Sequence, residues 1–212
     1  MSDYKSKLES LLEEIKQMGI HDKKVINAMR EVPRHYFTGD SDIESSYRNY
    51  PLPIGKGQTI SQPYTVAFMI EQLELESGDK VLEVGSGSGY NAAIMAKIVE
   101  PDGKIYSIEV RKELIDFAKK NLLKANIDNV ELIYRDGSKG HEKHAPYDKI
   151  IVTAAAPEIP KALKNQLKQG GILIAPVGGG FGQEMVKLVK HKDKFTKQKL
   201  GGFRFVPLKT TE

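Results

Sequence analysis

The sequence predicts a doubly wound α/β fold: a mostly parallel, seven-stranded sheet with N-terminal helices before it and an antiparallel hairpin at its C-terminal end. Three observations predict it. From residue 65 onward short apolar runs alternate with helical periods, the pattern of a parallel sheet covered on both faces. The first of those runs ends in a glycine loop that opens a helix. The last two flank a charged turn with no helix between them, as antiparallel neighbours do.

The elements follow in order. Leu8, Leu11, Leu12, Ile15 and Met18 recur at spacings of three and four, one apolar stripe on a helix that Gly19 can close. Asp22 can cap a second helix carrying Val25, Ile26, Met29 and Val32, stopped before Pro33. From His35 to Gln62 no period is legible, and a loop of that length in a compact domain tends to be functional. TVAFMIEQL then reads as a helix, and KVLEV (80–84) as the first strand. Helix 90–99, strand 104–110, helix 112–125, and strands 130–134 and 147–153 come next, then a short helix 159–167 and strand 171–177. EMVKLVKHKDKFTKQKLGGFRFVPL supplies the closing pair of strands.

Composition narrows the chemistry. The 212 residues suit one domain, and no apolar run approaches the roughly 18–20 residues of a membrane span. MSDYKSKLESLLEE lacks the apolar centre of a signal peptide, so a cytoplasmic chain with no membrane partner is expected. Without cysteine there is no disulfide, thiolate nucleophile or Cys-based metal site. None of the five histidines has a metal-ligand spacing; His141 and His144 fall in a Lys/Glu/Pro-rich connector, and no metal is expected. The net charge of +4 is mild, and the lysines of KHKDKFTKQK, interrupted by Asp193, read as a solvated hairpin tip. No nucleic-acid partner is expected, and a monomer is.

The chemistry gathers at strand ends. In LEVGSGSGY the strand, glycine loop and helix arrive in the order that places a cofactor at the carboxyl edge of a parallel sheet. Gly85, Gly87 and Gly89, with Ser86 and Ser88 between them, let a ligand approach the backbone where helix N–H groups are free. A Rossmann-like dinucleotide loop needs Gly or Ala where Tyr90 stands. Glu83, two residues ahead of the loop, would repel a diphosphate but attract the sulfonium and ammonium of S-adenosylmethionine. Glu109, followed by Val110, closes the second strand, where a carboxylate can accept both ribose hydroxyls. Asp136 and Gly137 follow the third, where the adenine edge would lie. Together these predict S-adenosylmethionine as cofactor and S-adenosylhomocysteine as product.

The acceptor is narrowed by what is missing. There is no NPPY or DPPY, no cysteine, no acid-rich magnesium set and no convincing general base, with His35 reading as structural. An acid acceptor fits, since a carboxylate with a pKa near ~4 is already a nucleophile at neutral pH. Placement and desolvation would then drive the reaction. Methylation of RNA or a metabolite, and non-catalytic binding of the cofactor, are the competing readings.

YPLPIGKGQTISQPYTVAFM (50–69), LEVGSGSGYNAA, RDGSKG, APYDKIIVTAAAPEIP, APVGG, FVPL and REVPRHYF (31–38) resemble, in order along nearly the whole chain, the protein-L-isoaspartate O-methyltransferase family. The resemblance implies methyl transfer to the α-carboxylate of L-isoaspartyl residues in damaged proteins and peptides. It implies Ser61 as the catalytic residue orienting that carboxylate, with Gln58, Thr59 and Ile60 lining the same lid. Tyr64 would stand near the cofactor's methionine part, and Ala155, Ala156 and Val206 would give backbone contacts to the peptide. The segments are then 1–64 for N-terminal helices and lid, 65–182 for the cofactor-binding core and 183–212 for the hairpin. His141 stands where the family often has an aromatic residue, and Lys209 where some members have Thr. Gln183 is left between a ligand contact and a strand start.

Overall fold

The computed structural model describes residues 4–179, 182–192 and 194–210; Gly180 and Phe181 of the GGGFG stretch, Asp193 of the lysine-rich turn and the ends of the chain lie outside them. The apolar stripe of helix α1 (Tyr4–Gln17) is buried at Leu8, Leu11, Leu12 and Ile15. Met18, assigned to that stripe from its spacing, is instead 44% exposed, because the helix has already ended. Gly19, at φ 106°, reverses the chain there, and the Ile20 N–H donates back to the Ile15 carbonyl at 3.2 Å. This closure is the Schellman arrangement. Asp22 caps α2 (Lys23–Glu31) by accepting the Lys24 N–H at 2.7 Å, and Val25, Ile26, Ala28 and Met29 face inward.

The stretch without a legible period is not a plain loop. It holds a short helix, α3 (Ile43–Ser46), capped by Asp42, and then a two-stranded hairpin of β1 (Leu52–Gly55) and β2 (Gln58–Ile60). Lys56 and Gly57 form its tip with φ of 53° and 68°, the pair of positive values that a tight type I′ turn demands. Strands this short, one of them containing Pro53 and Gly55, leave no alternation to read. Helix α4 (Pro63–Leu73) follows at once, with Pro63 at its first turn.

The main sheet starts in the middle and grows both ways. Strand β3 (Lys80–Val84) leads through α5 (Tyr90–Val99) to β4 (Lys104–Glu109), then through α6 (Lys112–Lys124) to β5 (Val130–Tyr134). The chain then crosses back to lay β6 (Tyr147–Val152) against the free side of β3. Helix α7 (Lys161–Gln166), β7 (Leu167–Gly179), β8 (Gly182–His191) and β9 (Lys194–Phe203) continue outward. The order is β5-β4-β3-β6-β7-β8-β9, parallel through β7 and antiparallel beyond. Strand β7 begins four residues earlier than the sequence predicts. Gly170 turns to φ 75° and the register slips between Tyr147 and Lys149, and apolar alternation does not show an irregularity of this kind.

Neighbouring side chains of β3 alternate between two cores. Val81 joins the layer of α1, α2, α4 and α5, while Leu82 and Val84 join the layer beneath, with α7. Met29 is fully buried where α2 meets the first layer. Met29→Ala is expected to lower stability by ~2–5 kcal/mol through the cavity it leaves, read as a lower urea midpoint at unchanged slope.

Candidate active site

The carboxyl ends of β3, β4 and β6 converge where the strand order reverses, the crevice in which doubly wound sheets bind ligands. Gly85, Gly87 and Gly89 carry φ of 102°, 52° and 86°, a left-handed region that side chains resist. At Gly85 space alone would forbid one, since a Cβ there would lie 2.3 Å from Thr153 Oγ1. The loop is held from both sides. The Gly85 and Ser86 N–H groups donate to the Ile108 carbonyl at 2.8 and 3.1 Å. On the β6 side the Thr153 hydroxyl reaches the Gly85 carbonyl at 2.7 Å. Asn121 of α6 donates to the Ser88 carbonyl at 2.9 Å.

Glu109 lies at the end of β4, with its carboxylate directed into the loops. Oε1 accepts the Val110 and Arg111 N–H groups at 2.9 and 3.1 Å, and Oε2 accepts Gly87 N–H at 3.1 Å. About three of its roughly four acceptor positions are therefore filled. Room remains for one ligand hydroxyl, where the sequence suggested two. Asp136 is turned to its own tight turn, accepting the Ser138 N–H and hydroxyl at 2.9 and 2.7 Å. Gly137 lines the cleft beside Glu109 and Val110.

Glu83 is completely buried. Ser107 donates to its Oε2, and Ser86 Oγ stands 2.5 Å from Ser107 Oγ. Glu83 borders the cleft, and its buried Oε1 has no partner among the described residues. Burial pushes the carboxyl up to about 8, opposed by the Ser107 hydrogen bond and reinforced by the Glu109 charge. An orphaned acceptor of this kind fits a cationic ligand group and repels an anionic one.

Gln58, Thr59, Ile60 and Ser61 form the wall opposite the glycine loop. Gln58 reaches along the cleft to the side where Glu109 and Val110 lie. The Ser61 hydroxyl makes no hydrogen bond among the described residues. Behind this wall opens a groove of about 1140 Å³, and Thr59, Ser61, Thr153 and Val206 line both spaces. Tyr64, expected by the methionine part of the cofactor, lines the groove instead, because α4 turns it away from the loop. The rings of Phe68 and Phe203 meet beyond it, tilted, at 5.2 Å, and among the described residues Arg204 is the one charged side chain of the groove. Gln183 is a clamp: its amide donates to the Phe205 carbonyl at 3.0 Å and accepts the Phe205 N–H at 2.6 Å.

Ala155 and Ala156 do not offer backbone groups to a peptide. The Ala155 N–H donates to the Val206 carbonyl at 2.8 Å and its carbonyl accepts Leu208 N–H at 2.7 Å. Ala156 is paired with Pro176 and Gly178. The alanines brace the FVPL segment, of which Phe205, Val206 and Pro207 line the groove. His35 bonds the Tyr47 hydroxyl at 2.7 Å and, half-buried, meets the rings of Tyr4, Tyr36 and Tyr47 in tilted or edge-on contacts. His141 and His144 stand near Glu131, but Arg135 Nη1 lies 2.9 Å from His141 Nδ1 and Lys104 pairs with Glu131. That cationic setting disfavours a metal ion.

A donor cleft at the switch point, walled by a short hairpin and opening onto an apolar groove, defines a class of α/β group-transfer enzymes that carry a nucleoside-bearing donor. Residues 6–212 match the sequence model of the protein-L-isoaspartate(D-aspartate) O-methyltransferase family, and the chain belongs to that family. The protein-L-isoaspartate O-methyltransferase of Dictyoglomus thermophilum is 48% identical over 98% of this chain and 93% of its own. Protein-L-isoaspartate O-methyltransferase 2 of Archaeoglobus fulgidus is 49% identical over 98% and 94%. A solved protein-L-isoaspartate O-methyltransferase superposes with a TM-score of 0.86 at 30% identity, covering 94% of this chain and 65% of that one. A Plasmodium falciparum structure described as a β-aspartate methyltransferase in complex with S-adenosyl-L-homocysteine gives 0.83 at 30% identity, over 95% and 98%.

Thr153, Asn121, Phe68 and Phe203 were not singled out from the sequence. Thr153 alone had a signal, as the last residue of a predicted strand. Because the folded carboxyl of Glu83 titrates at about 8, the wild-type protein loses stability as pH rises from the ordinary carboxylate range through that value, by ~1.4 kcal/mol per pH unit. Glu83→Gln does not titrate. The difference in melting temperature between variant and wild type is expected to grow in the variant's favour from pH 5 to 8 and then level off.

Proposed function

We propose that the chain moves a methyl group from S-adenosylmethionine to the α-carboxylate of L-isoaspartyl residues in damaged proteins and peptides, releasing S-adenosylhomocysteine. The observation that carries this reading is the meeting of cleft and groove at Thr59, Ser61, Thr153 and Val206. A polypeptide in the groove can present a carboxylate at Ser61 without entering the donor's cleft.

S-Adenosylmethionine supplies an electrophilic methyl on a positively charged sulfur. The residues present fit it. The Glu83 Oε1 orphan suits its ammonium group, the bare backbone of Gly85–Gly89 accepts its close approach, and Glu109 has room for one ribose hydroxyl. Gly137 and Val110 leave a flat slot for the base, with Asp136 shaping the turn beneath. Ser61 holds one oxygen of the acceptor through its hydroxyl, so that the other points along the line of attack. No proton is removed, since the acceptor is ionised at neutral pH. Gln58, Thr59 and Ile60 keep water from both reacting groups, which strengthens their attraction. The resulting ester closes to a succinimide, which hydrolyses partly to ordinary aspartate.

The groove favours a disordered segment with apolar neighbours around the damaged residue, given Phe68, Phe203 and Phe205 along it. Arg204 draws an anionic acceptor toward it. Lys194, Lys197 and Lys199 on the edge strand β9 discourage pairing with a second sheet, in line with a monomer. A donor made inside cells argues for a cytoplasmic place of work. Among the described residues no helix is long and apolar enough to cross a membrane.

The deciding experiment offers labelled donor with an isoaspartyl peptide, its aspartyl twin and bulk RNA. Label is expected only in the first, as a base-labile ester; equal labelling of the twin or of RNA would refute the reading. Ser61→Ala is expected to lower kcat/KM about 10–100-fold, the worth of a hydrogen bond to a charged group, with S-adenosylhomocysteine affinity within about 2-fold. Glu109→Ala is expected to weaken that affinity by about 10-fold or more in calorimetry, since it also releases the Gly87 and Val110 N–H groups.

A further inference from the structure

Arg34 is completely buried, and no carboxylate among the described residues pairs with it. Its Nη2 donates to the Ser61 carbonyl at 2.9 Å, while Nε and Nη1 have no hydrogen-bond partner. The guanidinium lies over the ring of Tyr90, 5.0 Å from its centroid. Desolvation lowers its pKa to about 10, with Tyr90 opposing that fall, so it stays cationic at neutral pH. An unpaired buried cation is costly, and apolar residues of similar volume often replace such groups at no loss. Contact with an aromatic face offsets part of that cost. What an apolar residue could not do is hold the Ser61 carbonyl.

The two ends of this contact belong to the two halves of the site. Tyr90 is the first residue of α5 and lines the cleft behind the glycine loop. Phe37 packs on it at 5.4 Å, fixing the turn that carries Arg34. Ser61 closes the hairpin wall and lines cleft and groove together. Beyond Ser61 the backbone is tied once more, where Tyr64 N–H donates to Asn49 Oδ1 at 3.0 Å. The hairpin tip carries an exposed Lys56–Glu113 ion pair at 3.0 Å, worth little in water, while Leu52 and Ile60 bury the strands in the apolar core. Arg34 adds a buried polar tie between the serine wall and the donor-binding loop.

We propose that Arg34 is a positioning residue: by joining the Ser61 backbone to the Tyr90 ring it sets the serine hydroxyl at the junction of cleft and groove, touching neither substrate. This rests on the methyl-transfer reading above. Arg34→Met removes both the donor and the charge. Arg34→Lys keeps a cation but replaces the planar fork with a point donor.

The test has one arm that needs no activity: trypsin cleavage after Lys56, mapped by peptide mass. Cleavage is expected to quicken about 5–10-fold in Arg34→Met and about 2–5-fold in Arg34→Lys, as the hairpin loosens. In the second arm kcat/KM for an isoaspartyl peptide falls about 30-fold or more in Arg34→Met and about 5-fold in Arg34→Lys, while S-adenosylhomocysteine affinity stays within about 3-fold. A purely structural role would move both affinities with the melting temperature. Equal losses of donor and peptide binding, or cleavage and kcat/KM indistinguishable from wild type, would overturn the proposal. If Arg34→Met does not fold, Arg34→Lys decides by the same criteria. A wild-type protein inactive on the peptide would sink the functional reading alone, and the cleavage rates would still judge the tie.

Discussion

Everything at this site depends on how the glycine loop is pinned between two strand ends. A run of three positive-φ glycines has no preferred shape of its own. Here one carbonyl of β4 takes two of its N–H groups, the Glu109 carboxylate takes a third, and the Thr153 hydroxyl at the end of β6 returns the hold from the other side. The loop is therefore as rigid as the sheet. Glu109 serves that rigidity first, and only its remaining acceptor position faces a ligand.

The same arrangement explains the unusual state of Glu83. It shares the face of Val81, toward the apolar layer of α1, α2, α4 and α5, where a carboxylate has no business unless a cation comes to it. Ser107, backed by Ser86, donates to one oxygen, and the other has no partner among the described residues. A carboxyl buried with one unpartnered oxygen suits a cationic group, and the proposed donor carries a sulfonium and an ammonium. Below about pH 8, any cation that binds beside this carboxyl is linked to release of its proton.

For the proposed acceptor no base is needed, because the acid is already ionised at neutral pH. What is needed is a wall that holds a hydroxyl still and keeps water out. A hairpin of seven to nine residues cannot be stable by itself; it borrows order from Arg34 beneath Ser61 and Asn49 at the start of α4. The loop is thus held in part from the N-terminal layer, where Asn49, bonded to Glu14 of α1 at 2.9 Å, accepts the Tyr64 N–H.

Much of this was legible in the residues. The strands, the helices around them, the cofactor loop and the acids at successive strand ends are local patterns, and the PIGKGQTIS stretch carried the family. Local pattern also erred in local ways. Met18 kept the spacing of a helix that Gly19 had ended, and the start of β7 was hidden by a glycine irregularity. Other matters lay beyond any local pattern. That Tyr64 faces the groove, that Ala155 pairs with Val206, and that Glu109 is mostly occupied by backbone N–H groups are facts about which distant segments meet.

By itself the sequence determined the fold class, the donor and the acid chemistry, because periodicity, glycines and charge act within a few residues. Only the tertiary structure decided which side of the lid each residue faces, and that a buried arginine from the N-terminal layer holds the Ser61 carbonyl. Such a contact spans 27 positions of chain, and burial without a partner is a property of the packed interior that no stretch of sequence expresses.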